Sequence, residues 1–390
     1  MDKSIYIFNP DHDMALAVNS RYYMTPSHII KMMVDLSFLP AWYAEGEMDK
    51  YIYAENVELV TAFMDGLPVK PEVKPGNIEY ILYNKVYPWG WNNTLVDRLC
   101  KLKIPLSAMP QEYYINKIRE MSSREYAIKL LPNLILNERF CGMSTLLQTV
   151  SQIDDFLSLY KKIVLKEPWS GSGRGVRIVV EELSDNEKGW SERVIRTQGA
   201  IVAEPFYNKI MDFAMEFSCN KQEVRFVGYS IFDTDNKGAY KGNILATDYM
   251  LEERLGLYVD KEDLHRLKEE LSKKLYDVYG DIYEGYLGVD MMVCIDTGKK
   301  YLIHPCVEVN LRMSMGLVAR KFYDKYVECG KEGMYYIEYY RNKNDAVEKN
   351  IQLMKEFPLK VTDSKIAEGY MSLTPINVDT LYNIYIIIDK

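Results

Sequence analysis

The chain has only six cysteines, Cys100, Cys141, Cys219, Cys294, Cys306 and Cys329. No two form a CxxC pair, so neither a zinc ribbon nor a disulfide framework is indicated, and a reduced, cytoplasmic compartment fits best. Long apolar runs are missing as well. No stretch approaches the ~20 residues of a membrane span, and the opening MDKSIYIFNP enters a strand-like run without the apolar segment of about 7–15 residues that a signal peptide needs. Basic charge is not in excess: the net charge of -8 argues against a general nucleic-acid binder, which needs clustered Lys and Arg for phosphate. Small anionic ligands at local basic sites remain compatible with it. Repeats and low-complexity tracts are absent. What remains is a globular composition, 48% hydrophobic and 27% charged, in 390 residues, a length that suggests two or three domains.

The order of patterns predicts an α/β first part. Residues 4–8 (SIYIF) read as a strand, broken by Asn9-Pro10-Asp11 before a helix through Met14–Val18. Ser27 is placed to cap a helix to about Leu36. A strand (Tyr51–Tyr53), a helix (Val57–Met64) and another strand (Ile78–Tyr83) follow, an alternation that predicts a small parallel sheet. Asn92 or Asn93 caps the next helix, and the WGW before it is either a pocket floor or core. Two helices occupy Pro110 to about Leu131, the second capped by Ser122 or Ser123. A strand near Leu134–Leu136 and a helix over Ile153–Tyr160 lead into the most informative stretch.

That stretch is IVLKEPWSGSGRGVRIV, residues 163–179. Ile163–Leu165 suit a short buried strand, and Val176–Val180 resumes the pattern. Between them Gly171, Gly173 and Gly175 alternate with Ser170, Ser172 and Arg174, so the turn can expose amides and approach an anion with no Cβ in the way. Lys166 and Arg174 bracket it with positive charge. Walker A fails here for want of GK[ST] entering a helix, and the dinucleotide fingerprint fails because Val176 continues a strand. The kinase loop is a near miss, without HRD or DFG elsewhere. A strand–loop–strand phosphate flap with an upstream lysine survives, against a plain glycine turn.

Beyond the flap a helix (Trp190–Gln198) ends at Gly199, and IVAEPF reads as a strand. Residues 210–219, 222–233 and 240–247 predict antiparallel strands, with turns at Asn220-Lys221 and Asp235–Gly238. Leu264, Leu267, Leu271, Leu275 and Val278 mark one amphipathic helix over about 261–279. Then comes GYLGVDMMVCIDTGKKYLIHPCVEVNLRMSMG, a hairpin around Asp-Thr-Gly-Lys. Glu308 and Asn310, two apart on one strand, share a face. One anionic and one neutral oxygen donor suit Mg²⁺, which fills its remaining positions with phosphates and water. Asp290 joins them if the loop is three residues, 297–299, placing it opposite Cys306; a two-residue loop reverses its face, and Pro305 hints at a bulge. A solvent-facing polar strand is the competing reading. Arg312, of the same parity, counts against it by adding a donor fork where a developing anion would need one. Tyr335, Tyr336, Tyr339 and Tyr340 are spaced by four and read as helix packing rather than a stacking platform.

Together these segments resemble the ATP-grasp superfamily over about residues 110–320. VLKEPWSGSGRGVRIV resembles its lysine-bearing strand and lid loop, IVAEPF its adenine and ribose strand, and GVDMMV with EVNLRMSMG its metal-binding strands, with Leu311 where Pro is familiar. The implied fold is α/β (α+β ATP-grasp): an N-terminal parallel α/β domain (1–110), then a two-lobed ATP-grasp region with antiparallel sheets (lobes 111–205 and 206–330), and a C-terminal extension (331–390) docked on the core or a second subunit. A homo-oligomer is left open. The resemblance implies ATP and Mg²⁺ as cofactors. It implies that Lys117 and Lys166 hold phosphates, that Ser172, Gly173, Arg174 and Gly175 cover them, and that Glu204 bonds the ribose, with Pro205 and Phe206 beside adenine. Asp290, Glu308 and Asn310 would hold metal, and Arg312 and Lys241 would stabilise the transferred phosphoryl group. His12 and Asp13, just past the first strand, could contact substrate or simply cap a helix. The implied reaction is ATP-dependent ligation of a small-molecule carboxylate to an amine or similar nucleophile through an acyl phosphate, releasing ADP and phosphate. A small-metabolite kinase and a non-catalytic ATP-binding sensor are the alternatives; neither membrane nor nucleic acid is an expected partner.

Overall fold

The computed structural model describes residues 2–20, 22–77, 83–171, 175–234 and 240–390. Strand β1 (Lys3–Ile7) lies centrally in a parallel sheet with β2 (Asp49–Tyr53), β3 (Lys74–Gly76) and β4 (Lys85–Pro88), in the order β3-β2-β1-β4. Helices His12–Val18 and Val57–Gly66 follow β1 and β2, the crossover pattern that parallel strands require. The strand expected at Ile78–Tyr83 falls almost wholly outside the described residues; Tyr83 itself is buried but not in a strand, and β3 and β4 flank it.

A second sheet is antiparallel, order β5-β8-β6-β7, from β5 (Thr145–Leu147), β6 (Lys162–Lys166), β7 (Val176–Val180) and β8 (Ile201–Pro205). Helices Val150–Tyr160 and Asp185–Gln198 accompany it, each started by a capping box, Thr149 with Gln152 and Ser184 with Glu187. The strand expected at Leu134–Leu136 is absent: Pro132 directs Leu131–Leu134 into a 3₁₀ turn.

The third sheet has nine strands: β9 (Asn208–Cys219), β10 (Val224–Thr234), β11 (Tyr240–Leu245), β12 (Gly285–Ile295), β13 (Tyr301–Asn310), β14 (Gly333–Tyr339), β15 (Lys360–Thr362), β16 (Lys365–Ser372) and β17 (Tyr382–Ile388), ordered β13-β12-β9-β10-β11-β14-β17-β16-β15. The amphipathic helix is Lys261–Tyr279, and Leu264, Leu267, Leu271 and Leu275 on its inner face are fully buried against β10 and β9. At about 1.5–3 kcal/mol for each buried leucine, this face binds the helix strongly.

Residues 331–390 are therefore no appendage. β14 pairs with β11 and β17 with β14, so YNIYIII is an interior strand, apolar on both faces because helix Met315–Tyr326 and helix Asp345–Glu356 cover the sheet. The helix expected for Tyr335–Tyr340 is a strand instead, with Tyr335 buried and Tyr339 exposed. A spacing of four returns to the same face in both periods, so it could not distinguish them. One continuous core joins Tyr6 of the first sheet and Phe8 just beyond it with Trp42, Phe322 and Ile384, and Trp42 Nε1 donates to the Leu373 carbonyl at 2.7 Å.

Candidate nucleotide and metal site

The hairpin β12–β13 sets the acidic part. Its turn closes at Asp296 and Lys300, leaving 297–299 with Lys299 at φ 62°, and Ile295, Cys294, Val293 and Met292 pair with Tyr301, Leu302, Ile303 and His304. That register alone would put Asp290 opposite Cys306. Pro305 cannot donate to a ladder, and between Met292↔His304 and the next pair β13 spends Pro305, Cys306 and Val307 against Met291 alone. The bulge carries Asp290 opposite Glu308 and Gly288 opposite Asn310.

Asn310 Nδ2 donates to Asp290 Oδ2 at 3.1 Å. Burial, followed by the charge of Glu308, pushes the Asp290 carboxyl up to about 7. Arg312 Nη2 donates to Asn310 Oδ1 at 2.9 Å, and its Nε and Nη2 reach Asp13 Oδ1 and Oδ2 at 2.9 and 2.8 Å. Burial opposes ionisation of Asp13, but Arg312 and His12 outweigh it and hold the carboxyl below its usual range. Glu308 is engaged by Arg124 at 2.7 Å.

Arg124 ties this hairpin to the flap. Its Nη1 also donates to the Glu167 carbonyl at 2.6 Å and Ser170 Oγ at 2.9 Å. Lys166 ends β6 with its ammonium buried against Glu204 Oε2 at 2.6 Å. The pair is diagonal, since Lys166 faces Val202 and Glu204 faces Val164. Ser144 Oγ donates to Glu204 Oε1 at 3.2 Å. Gly171 roots the flap against Asp13: a Cβ there would stand 2.3 Å from Asp13 Oδ2.

No protein-family model matches the sequence, and no curated protein matches it significantly. Solved structures do match across the whole fold. The biotin carboxylase domain of 2-oxoglutarate carboxylase from Hydrogenobacter thermophilus, with MgADP, ADP and bicarbonate, has a TM-score of 0.56 at 11% identity, over 100% of this chain and 86% of that one. A β,γ-ATP complex of biotin carboxylase from Campylobacter jejuni gives 0.55 at 12%, over 100% and 88%. Carboxyaminoimidazole ribonucleotide synthase from Aspergillus clavatus with ATP gives 0.52 at 11%, over 100% and 94%. This chain has the ATP-grasp fold.

Against that fold the expected residues divide. Lys166 and Glu204 meet, and Asp290, Glu308, Asn310, Arg312 and Asp13 form one connected cluster. Pro205 pairs with Ile163 at the end of β8, and Phe206 lies under the Lys162 ammonium, 3.5 Å from its ring centre. Gly175 closes the flap through its carbonyl to Glu167 N at 2.8 Å; Ser172, Gly173 and Arg174 lie outside the described residues, as does the turn at Asp235–Gly238. Lys117 is not brought in: it pairs with Glu120 on the exposed side of its helix at 2.8 Å. Lys241 is exposed on β11, three strands from β12, about 14 Å at ordinary strand spacing. His12 is buried beside Gly90, its Nδ1 3.3 Å from Asn92 Nδ2, and burial lowers its pKa to about 4. It lines a small cleft with Asp13, Trp169, Ser170, Glu308 and Asn310.

Two ionisable residues of the cluster escaped the sequence reading. Arg124 begins a helix, where a cation opposes the helix dipole, and that mismatch was the available signal. Glu216 is a buried acid between the apolar Met215 and Phe217 of β9. It accepts from Ser314 Oγ at 2.8 Å, leaves Oε2 without a partner among the described residues, and is pushed up by burial to about 8.

The donor chemistry fits a divalent cation. No three His, Cys, Asp or Glu side chains converge among the described residues, but Mg²⁺ takes few protein ligands when phosphates supply the rest. Asp290 faces Glu308 without a salt bridge of its own among the described residues, and a cation between them would relieve the repulsion that raises its pKa. No described helix is long and apolar enough to cross a membrane.

Proposed function

We propose that this chain is an ATP- and Mg²⁺-dependent ligase that activates a small-molecule carboxylate as an acyl phosphate and joins it to an amine or similar nucleophile, releasing ADP and phosphate. The observation that carries this reading is the face-to-face pair Asp290 and Glu308 with Asn310 and Arg312 alongside. In this assignment Asp290, Glu308 and Asn310 hold Mg²⁺, which supplies charge neutralisation at the transferring phosphoryl group. Lys166 holds the α/β-phosphates and Glu204 the ribose, with the backbone at Pro205 and Phe206 beside the base. Gly175 is assigned to the β/γ end, where the resemblance also places Ser172, Gly173 and Arg174, which lie outside the described residues.

Arg312 is aimed by Asp13 and Asn310 at the metal edge of the site, where a guanidinium fork stabilises developing negative charge. Arg124, bonded to both the flap root and Glu308, takes the anion-binding role that the resemblance implied for Lys117. Lys241, exposed and distant from the cluster, has no part. The substrate carboxylate enters the cleft at His12, Asp13 and Ser170. A neutral His12 there donates or accepts without adding charge. Residues 206–390 act as one unit under this reading because one sheet runs through them.

Thermal unfolding with Mg·ATP, Mg²⁺ alone and ATP with chelator tests the site. Ligand at about 100 times its Kd adds about 2.7 kcal/mol. The parent is expected to gain stability from Mg·ATP and Glu308→Gln to lose the metal-dependent part. A screen of acids with amines for ADP release then tests ligation: release of phosphate that needs no acceptor counts against it, and no response to nucleotide removes the assignment altogether.

A further inference from the structure

His304 is fully buried, yet neither ring nitrogen has a hydrogen-bond partner among the described residues. Its own backbone, though near the ring, lies outside hydrogen-bond geometry. The residue occupies the last regular position of β13 before the bulge, opposite Met292. Tyr207 meets the imidazole edge to face, with ring centres 5.3 Å apart at 79°. Gly142, at φ 127°, passes so close that a Cβ would stand 2.9 Å from Nε2. The same loop is tied to its surroundings: Met143 lies beside Tyr207, and Ser144 Oγ reaches Glu204. Glu204 and Lys166 lie near enough for their charges to act on the ring. Loop 141–144, the end of β8 and His304 therefore converge on one end of the Lys166–Glu204 pair.

A histidine in this position needs a reason. Burial lowers its pKa to about 4, so at neutral pH it presents one N–H donor and one bare nitrogen acceptor, both desolvated and both idle. Packing alone is served better by leucine, which fills similar volume and leaves no polar atom unpaired. A ligand group that pairs with the ring accounts for the imidazole.

We propose that His304 reads the nucleobase of the bound nucleotide, one ring nitrogen hydrogen-bonding the edge of a purine seated between the end of β8 and loop 141–144. The inference deepens the nucleotide-site assignment above and rests on it. A purine edge offers ring-nitrogen acceptors and an exocyclic donor or acceptor, and a neutral imidazole matches either. Tyr207 holds the ring in place, and Gly142, lacking a Cβ, lets loop 141–144 pass Nε2 without a clash.

The test is calorimetric titration of the parent, His304→Leu and His304→Gln with Mg·ATP and with magnesium tripolyphosphate, which carries the phosphates without a base. For His304→Leu the Kd for Mg·ATP is expected to rise about five- to tenfold, the loss of one hydrogen bond. Its Kd for tripolyphosphate stays unchanged, and unliganded it melts no lower than the parent. His304→Gln, which keeps a donor and an acceptor, recovers most of the affinity. Unchanged Mg·ATP binding by His304→Leu overturns the inference while leaving the nucleotide site standing. Equal weakening of both ligands also overturns it, by showing a structural role. A parent that binds neither ligand removes the assignment beneath it. Should the leucine variant fail to fold, the His304 imidazole ¹⁵N shifts of the parent decide: movement on adding Mg·ATP but not tripolyphosphate supports base reading, and no movement refutes it.

Discussion

Arg124→Met is the most informative perturbation of the cluster, because this side chain joins three segments distant in sequence. The guanidinium is 6% exposed and bonds Glu308, the Glu167 carbonyl and Ser170, while methionine keeps the apolar stem and removes every donor. Breaking one side of a buried ion pair costs about 3–5 kcal/mol. Glu308, 21% exposed, regains some hydration, which favours the lower end, about 3 kcal/mol. With about 2.1 cal/mol/K of unfolding entropy per residue, 390 residues give about 0.8 kcal/mol/K, so Tm should fall by about 4 °C. Differential scanning calorimetry of Arg124→Met, Glu308→Gln and the double variant measures this. The double variant is expected to lose about 2 kcal/mol less than the two singles summed, since the second change removes the charge left stranded by the first. An Arg124→Met protein melting within about 1 °C of the parent, or simple additivity, would refute the clamp.

Three further outcomes follow from other parts of the molecule. Glu216, raised from an ordinary 4.5 to about 8, keeps its proton in the folded state over a range where the unfolded chain releases it, so its contribution falls as pH climbs through that window. Glu216→Gln stays neutral and should gain on the parent between pH 5 and 8, by at most about 1.4 kcal/mol per unit; parallel melting curves against pH would sink the assignment. Gly171→Ala places a Cβ 2.3 Å from Asp13 Oδ2 and should cost about 1–3 kcal/mol, whereas Gly189→Ala, in a helix with nothing within 4 Å, should stabilise by about 0.5–1 kcal/mol. Ile386→Ala, at a fully buried position of β17, should lose about 2–5 kcal/mol in the same calorimetric scan, and a loss under about 1 kcal/mol would mean that the C-terminal strands are not part of the core.

The strands Lys3–Ile7 and Asp49–Tyr53 with the helices after them, the hairpin around the glycine flap, the antiparallel run from Asn208 and the helix Lys261–Tyr279 were readable along the chain, because each rests on local periodicity and capping. So was the likeness to ATP-grasp, carried by three short segments in order. Residue chemistry nominated Lys166, Asp290, Glu308, Asn310 and Arg312 as a site, and the resemblance added Glu204. Which partners they have was decided elsewhere. Asp290 faces Glu308 through a bulge whose size Pro305 suggests but does not specify, and Arg312 is met by Asp13 from the opposite end of the chain. Arg124 joins the cluster and Lys117 does not, because the helix that Arg124 begins starts beside Glu167 and Ser170, a placement that no local pattern encodes. Tyrosines four apart serve a strand as well as a helix, and only pairing of β14 with β11 and β17 settled the matter. Local sequence determines what a segment can form and which groups carry charge; long-range register and packing determine which of those groups meet, because the hydrogen bonds and burial that select one pairing exist only once the distant strands are side by side.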